Sequence, residues 1–430
     1  MVLYYYLYNN TGTTMTDTVE ILDAICGSGK SRHIFNMIND NPQNKYIYVT
    51  PLLSEVHERV PKEVTTTTFS QPEITEDGTK SDNLLELIRV GSNISCTHSL
   101  FRKMSKLHLD YIRKQEYTVI IDEEVNLIDS NLGIVTKGDI EFAFAKKFIV
   151  ADEQELGKLS WVEEDLDGIQ NKESCVFRRL KEMCDVGILF ACKSKQTILT
   201  IHLPIELISS AKRVILCTYM FDGSVLDGFL ALKGINRTPY NGFTPCNVTA
   251  KQQLRGLINI INYPKQRLLE KIGFSKSWYE NATAAERKLV ANAIRWAASG
   301  RCDQDEFMFT TPKSFVCKPN GNVNTKIVGI TSTIKGKSTP ETSWVFCTAR
   351  ATNDFVNKRV LCHAYNRYPT TPIEIYLRDY GFNIKRDKYA VSEMVQWAFR
   401  SRIRNGEHID LCILSKRMKQ LFIEWLESDE

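Results

Sequence analysis

The stretch VEILDAICGSGKS at residues 19–31 decides the fold. Its first five residues are rich in β-branched and apolar side chains, which predicts a strand over Val19–Asp23. Glycine and serine then form a turn, and a helical pattern begins at about Ser31. A strand, a glycine-rich turn and a helix in this order open a βαβ unit. The stretch therefore predicts an α/β fold with a parallel sheet.

The turn has the composition of a phosphate-binding loop. Its small residues Gly27, Ser28 and Gly29 let backbone N–H groups point inward around phosphate oxygens. Lys30 would reach the β- and γ-phosphates as a point charge, and the Ser31 hydroxyl would be a ligand of Mg²⁺. The helix that follows directs its positive end at the anion. The alternative interpretation is a Gly/Ser turn beside a solvated lysine.

A second candidate motif is the run YTVIIDEE at residues 117–124. Its apolar part, Thr118–Ile121, is typical of a buried strand in a parallel sheet. Asp122 at the strand end would hold Mg²⁺ through water. Glu123 would orient and deprotonate the water that attacks a phosphoryl group. The alternative is a strand that is capped by solvated acids.

Strand and helix patterns alternate through the first half of the chain. Tyr46–Thr50 predicts a strand and Glu55–Arg59 a helix, and Ile94–Thr97 and Arg213–Thr218 predict further strands. Ligands of such sheets bind at the carboxyl ends of the strands, where both motifs lie. Acidic and cationic stretches interrupt the alternation at about residues 130–210, which indicates an insertion.

A second alternation follows a stretch rich in Gly, Pro, Asn and Thr at residues 236–250, which predicts a linker. Ala284–Ala298 predicts a helix that ends at a Ser-Gly pair. Phe307–Thr310 and Trp344–Thr348 predict strands.

The chain has 430 residues, enough for two or three domains. The sequence predicts two α/β lobes with parallel sheets flanked by helices. The first lobe spans residues 1–240 and includes the insertion, and the second spans 241–430. The net charge of +4 permits a polyanionic partner without requiring one.

The 12 cysteines form no C-x-x-C pair, which favours reduced thiols in a reducing compartment. No apolar run approaches the roughly 18 residues of a membrane-spanning helix. The short apolar run Val2–Tyr8 indicates an edge strand or a disordered start. We therefore expect a cytoplasmic protein without a membrane partner.

A third candidate motif is QWAFRSRIR at residues 396–404, within a helix predicted over Glu393–Arg404. Helical spacing would place Gln396, Arg400 and Arg404 on one face. An arginine directed at a γ-phosphate stabilises transition-state charge. The alternatives are a solvated basic face and an arginine face on nucleic acid.

Together these motifs resemble helicase superfamily 2, in particular compact phage-type DEAD/DEAH-like helicases. The resemblance covers Glu20 to about Glu407, except the insertion. It rests on the stretches AICGSGKS at 24–31, VTPLL at 49–53, SCTHSL at 95–100, DEEV at 122–125, LCTY at 216–219, FTTPK at 309–313, TARATND at 348–354 and QWAFRSRIR at 396–404. They match motifs I, Ia, the stretch between Ia and II, and motifs II to VI.

The resemblance implies two RecA-like lobes and ATP hydrolysis with Mg²⁺ through motifs I, II and VI. It also implies that Pro51, Thr97, Thr311 and Arg350 contact the backbone of a nucleic acid, with DNA expected before RNA. Phe399 stands where the family has glycine. The finger is Arg400, Arg402 or Arg404, and we prefer Arg400 with Arg404.

The expected function is therefore an ATP-dependent helicase or translocase that acts in DNA replication or recombination. Two alternatives remain. One is a nucleic-acid-stimulated ATPase switch that does not unwind. The other is a terminase-type DNA-packaging motor, which needs clustered acids in a nuclease lobe; residues 300–430 contain the arginine helix instead.

Overall fold

The computed structural model describes residues 16–76, 78–162, 174–316, 343–348 and 354–428. Two predictions fall outside these residues: the edge strand or disordered start at Val2–Tyr8, and the nucleic-acid contact of Arg350. Among the described residues, no helix combines the length and the apolar composition that crossing a bilayer requires.

The strands follow one another along the chain as listed by their bounds: β1 Thr18–Asp23, β2 Tyr46–Thr50, β3 Phe69–Ser70, β4 Asn93–Thr97, β5 Thr118–Asp122, β6 Ile128–Asp129, β7 Ile149–Asp152, β8 Lys158–Trp161, β9 Leu189–Ala191, β10 Leu199–His202, β11 Arg213–Thr218, β12 Asn236–Pro239, β13 Ile258–Ile261, β14 Phe307–Thr310, β15 Val360–His363 and β16 Ile409–Ile413.

The α-helices have these bounds: α1 Lys30–Asp40, α2 Val60–Glu63, α3 Lys80–Val90, α4 His98–Phe101, α5 Lys106–Gln115, α6 Lys137–Ala145, α7 Ser174–Asp185, α8 Glu206–Ser209, α9 Val225–Leu232, α10 Asn247–Leu257, α11 Lys276–Asn281, α12 Ala284–Ala298, α13 Lys313–Val316, α14 Thr371–Asp379, α15 Arg386–Ala398 and α16 Lys416–Glu427. A π-helical turn at Glu55–Arg59 precedes α2, and 3₁₀ turns lie at Gln266–Leu269, Gln304–Glu306 and Arg402–Asn405.

The chain divides into two compact units. The first contains the chain up to Asp23, Lys30–Phe243 and Pro369–Lys385. The second contains Ala24–Gly29, Thr244–Tyr368 and Arg386–Glu430. The predicted lobe boundary at residue 240 stays a prediction.

A seven-stranded sheet organises the first unit. Its strand order is β12-β1-β11-β5-β2-β4-β3, and all its neighbouring strands are parallel. β2 and β5 are buried along their whole length, as their continuous apolar runs predict. Because the strands are parallel, their carboxyl ends lie at one edge of the sheet. These are the ends of β1, β2, β4, β5 and β11.

A separate five-stranded antiparallel sheet, in the order β6-β10-β9-β8-β7, lies in the region of the predicted insertion. With α6 and α7 it encloses its own apolar core, which includes Leu159, Leu180 and Met183. α14 also belongs to the first unit. There the Tyr376 hydroxyl donates to the Leu156 carbonyl at 2.8 Å, and its ring lies 4.6 Å from His202.

The second unit is built on a four-stranded parallel sheet in the order β13-β16-β15-β14. α12 packs on one face, where Val290, Ile294 and Ala297 meet Phe307 and Phe309. Two parallel sheets flanked by helices confirm the predicted α/β fold class.

One local prediction in the second unit is wrong. Trp344–Thr348 is not a strand, since only Trp344 forms an isolated parallel bridge, to Phe309. The stretch 236–250, for which a linker was predicted, contains the chain boundary between the units at Phe243 and Thr244. It also contains β12, which pairs with β1, and the start of α10. Pairing with a distant strand compensates for the weak β propensity of the polar residues in β12.

Candidate active site

The glycine-rich turn connects β1 to α1. Gly27 and Gly29 have φ angles of +80° and +89°, the left-handed region that disfavours side chains. Asp23, at the end of β1, accepts the N–H groups of Met220 at 2.7 Å and Phe221 at 2.9 Å. The sequence analysis missed this carboxylate, which fixes the start of the turn to the segment after β11.

The first unit brings two predicted metal-binding residues together. The Ser31 hydroxyl donates to Asp122 Oδ2 at 3.0 Å, although 91 positions separate the two residues. The Tyr48 hydroxyl donates to the same oxygen at 2.6 Å. Burial raises the pKa of Tyr48, and the charge of Asp122 raises it further, so this hydroxyl keeps its proton. Asp122 is only 7% exposed and is held in one orientation.

The next two carboxylates have different surroundings. Glu123 has a φ of +63°, a conformation that costs energy for a residue with a side chain, and its N–H donates to the Cys217 carbonyl at 2.9 Å. Glu124 accepts a hydrogen bond from the Thr218 hydroxyl at 3.2 Å. The stretch LCTY thus contacts the acidic strand end through its threonine.

A fourth carboxylate, Glu55, was missed by the sequence analysis. It is buried and accepts hydrogen bonds from the Thr50 hydroxyl and from Arg59 Nη1, the latter at 2.8 Å. Burial raises the pKa of Glu55 and the charge of Asp122 raises it further, whereas Thr50 and Arg59 lower it. One sequence signal could have indicated this ion pair: Glu55 and Arg59 lie four residues apart, shortly after the end of β2.

The oxygen donors at this sheet edge suit a hard cation. Mg²⁺ prefers carboxylate and hydroxyl oxygens together with substrate phosphates. Ser31 and Asp122 supply such oxygens side by side. The residues present therefore fit the Mg²⁺ that the sequence analysis implied.

The predicted arginine helix needs a correction. α15 ends at Ala398, and a 3₁₀ turn starts at Arg402. The Ser401 hydroxyl donates to the Ala398 carbonyl at 2.6 Å and accepts from the Ile403 N–H, so it replaces helical hydrogen bonds and interrupts the helix.

As a consequence, the three predicted residues do not share one α-helical face. Gln396 is half-buried within α15, Arg400 is buried just after it, and Arg404 is exposed in the 3₁₀ turn. The i, i+4, i+8 spacing had assumed an uninterrupted helix.

The second unit includes the turn Ala24–Gly29. Within this unit, the Ile25 N–H donates to Asn247 Oδ1 at 3.0 Å. A Cβ placed on Gly27 would lie 3.5 Å from the ring of Phe399. Phe399, which stands where the resembling family has glycine, is thus an apolar neighbour of this glycine.

The residues predicted to contact nucleic acid have different local roles. Pro51 is half-buried after β2. The Thr97 hydroxyl accepts the Leu100 N–H at 3.3 Å and caps α4. The Thr311 hydroxyl is buried after β14 and has no hydrogen-bond partner among the described residues. Arg350 lies outside the residues that the structure describes.

Comparisons with known proteins agree with this architecture. Residues 252–426 match a family model described as the YonV C-terminal Rossmann-like domain. Over 434 residues the chain is 28% identical to an uncharacterized SPbeta prophage-derived protein, YonV, of Bacillus subtilis (strain 168); the match covers 96% of this chain and 99% of that protein.

Among solved structures, apo XPD matches with a TM-score of 0.50 and 14% identity, over 95% of both chains. A second XPD helicase structure matches with a TM-score of 0.50 and 12% identity, over 95% of this chain and 94% of that one. At these identities the likeness concerns the fold. The chain has a helicase-like α/β fold.

Proposed function

We propose that this protein hydrolyses ATP and uses the energy to move along nucleic acid or to separate its strands, with DNA as the preferred partner. The observation that supports it most directly is the 3.0 Å hydrogen bond between Ser31 and Asp122. It joins the start of α1, directly after the glycine-rich turn in the chain, to the acidic strand end, as a phosphate site with a divalent cation requires.

The glycine-rich turn, the start of α1 and the end of β5 would supply the nucleotide-binding groups. The backbone N–H groups of Gly27, Ser28 and Gly29 would surround the phosphates, and Lys30 would neutralise the β- and γ-phosphates. Ser31 and Asp122 would hold Mg²⁺. When bound, this ion would neutralise charge on the phosphate oxygens.

Two further groups would act on the reacting phosphate. Glu123 would accept the proton of the attacking water. Arg400 with Arg404 would stabilise charge on the transferred phosphoryl group, and Gln396 would contribute to the same site. Arg400 is buried, so packing restricts the rotamers of its side chain and would keep the guanidinium in one orientation.

Contacts to the nucleic acid would come from Pro51, Thr97, Thr311 and Arg350. Hydroxyls, backbone N–H groups and cations suit phosphate contacts that are independent of sequence. The prophage origin of the YonV relative supports a role in phage DNA replication or recombination, in the host cytoplasm.

The decisive experiment measures ATP hydrolysis by the full chain alone and with single-stranded DNA, a forked duplex, blunt duplex DNA or RNA, beside strand displacement on the fork. We expect stimulation by single-stranded DNA together with displacement. Stimulation without displacement would favour the ATPase switch, and stimulation by blunt duplex alone would favour a packaging motor. Absence of hydrolysis under every condition would refute the proposal.

A further inference from the structure

A cavity of about 480 Å³ opens in the second unit, beyond the carboxyl end of β14 and close to the segment after β15. Its size falls within the roughly 300–1,000 Å³ of typical ligand pockets. The lining combines aromatic rings, a hydroxyl and cations, principally Thr311, Lys313, Trp344, Phe346, Tyr365 and Arg367.

One wall is a pair of aromatic residues. Trp344 is fixed, because its indole N–H donates to the Thr311 carbonyl at 3.1 Å. The ring of Phe346 lies 6.2 Å from that of Trp344, at an interplanar angle of 48°. Phe346 is 52% exposed. This wall therefore offers one anchored ring and one accessible ring.

Arg367 orders another part of the lining. Its guanidinium lies 5.2 Å from the centre of the Tyr365 ring and donates to the Tyr365 hydroxyl at 3.3 Å. It also donates to the Tyr389 hydroxyl at 2.8 Å and forms a 3.1 Å ion pair with Glu393. Because Glu393 compensates its charge, Arg367 positions Tyr365 and is not an available phosphate ligand.

Two lysines and one hydroxyl complete the cavity. Lys313 is exposed and forms no ion pair with any residue that the structure describes. Lys276 is exposed and lies 4.0 Å from Glu280. Thr311 is 1% exposed, and its hydroxyl lacks a partner in the described part of the chain. A buried hydroxyl normally has a hydrogen-bond partner, which makes this one an unusual feature of the cavity lining.

We propose that this cavity binds one nucleotide of a single strand. Its base would stack on Phe346 and Trp344, and Lys313 would contact the adjacent phosphate. Duplex bases remain stacked and paired, so only an unpaired base can enter. This inference rests on the proposed function and adds base contact and single-strand selectivity to it.

The test is an abasic scan. The full chain without ATP is titrated against short fluorescent oligothymidylates that each lack one base at a different position. For the wild type, we expect roughly a fivefold or larger loss of affinity at one position, the usual effect of losing one stacked base. In Phe346→Ala, the intact strand should bind more weakly, and the abasic site should cost clearly less than in the wild type, because only Trp344 remains to stack on the base.

Matched variants separate stacking from folding and charge. Phe346→Tyr should restore the position-dependent loss. Phe142→Ala removes a 45% exposed phenylalanine of α6 and should behave as wild type. Lys313→Ala should weaken intact and abasic strands equally and lower the salt dependence by about one phosphate contact. Unchanged melting temperatures would show that the variants are folded.

A scan with no sensitive position, or one that Phe346→Ala does not flatten, would overturn the base-binding inference. The proposed function would survive that result if strands still stimulated ATP hydrolysis. Failure of every strand to bind or to stimulate hydrolysis would refute both.

Discussion

The carboxyl ends of the two parallel sheets differ in how their polar groups are satisfied. In the first unit, Asp122 is held by Ser31 and Tyr48, and Glu124 is held by Thr218. In the second unit, polar atoms of Thr310, Thr311 and His363 are buried without hydrogen-bond partners among the described residues. One end is a connected acidic network, whereas the other combines hydroxyls with aromatic rings and lysines.

Strand topology sets where a ligand can bind, and the side chains at the strand ends set which ligand binds. A network of connected carboxylates and hydroxyls is organised in advance for a cation and phosphates. Unpartnered hydroxyls beside exposed aromatic rings instead suit a ligand that brings its own donors and acceptors. Substitutions at each end test whether the two ends differ in this way.

The largest effect is expected from Lys30→Ala. Loss of the ammonium removes the charge that would neutralise the β- and γ-phosphates, so ATP hydrolysis should be abolished. Phosphate release measured with saturating single-stranded DNA tests this. Lys137→Ala, which changes an exposed lysine of α6, is the control and should keep wild-type turnover. Activity of Lys30→Ala near the wild-type rate would mean that hydrolysis does not occur at the first sheet.

Arg400→Ala should lower turnover by about a thousandfold, the usual contribution of an arginine finger. ATP affinity, measured with a fluorescent analogue, should change little because the charge acts in the transition state. Arg378→Ala in α14, an exposed arginine, is the matched control. Equal turnover in the wild type and Arg400→Ala would reject Arg400 as the arginine finger and leave Arg402 and Arg404 as the candidates.

Glu123→Gln should lower turnover at least about a hundredfold while ATP binding is retained, because the amide cannot accept the proton of the attacking water. Single-turnover hydrolysis beside an equilibrium binding titration separates the two quantities. If binding and hydrolysis fell together, Glu123 would have a structural role, which its positive φ angle also permits.

Tyr48→Phe should raise the Mg²⁺ concentration for half-maximal hydrolysis by about tenfold. The phenol donates to Asp122 Oδ2, and loss of a hydrogen bond to a metal ligand typically weakens metal affinity by that order. Tyr46→Phe is the control in the same strand, since the Tyr46 hydroxyl donates to the Asn41 carbonyl instead. A Mg²⁺ titration in which both variants match the wild type would exclude this role of Tyr48.

The smallest effect concerns the stability of the second unit. Burial and, to a smaller extent, the charge of Arg367 together lower the pKa of His363 from 6.5 to about 3. The folded state therefore keeps His363 neutral while the unfolded chain takes up a proton below about pH 6.5. Stability contributed by the neutral ring is present above that pH and is lost as the pH falls towards 3.

In His363→Leu, the free energy of unfolding should accordingly depend less on pH between about pH 6 and 4, by up to about 1.4 kcal/mol per pH unit. Denaturant titrations at several pH values measure the slope. His408→Leu, which changes an exposed histidine of the same unit, should retain the wild-type slope. An unchanged slope in His363→Leu would contradict the buried neutral state.

Local patterns predicted much of the fold. The bounds of β2, β11, β14 and α12 match the predicted ones, because each has a clear apolar run or helical period between strong end signals. The end of the arginine helix was not predictable in this way. Its pattern continues past Ala398, but the Ser401 hydroxyl competes for the backbone hydrogen bonds and ends the helix.

The candidate site was likewise predictable in part. Sequence alone identified Ser31 and Asp122 as candidates, since their residue types and their positions after apolar strands fit phosphate and Mg²⁺ chemistry. It missed Tyr48, Glu55 and Asp23, because their roles depend on neighbours distant in the chain. No local pattern reveals which buried group a hydroxyl or a carboxylate will meet.

By itself, the sequence determined the α/β class, the glycine-rich turn and the acidic strand end, because these depend on residue type and spacing within short segments. Only the tertiary structure shows that Ser31 and Tyr48 donate hydrogen bonds to the same oxygen of Asp122. It alone also shows that Thr311 lines a cavity with Trp344 and Phe346. The physical reason is that hydrogen bonding and burial depend on distances between residues that only the folded chain brings together.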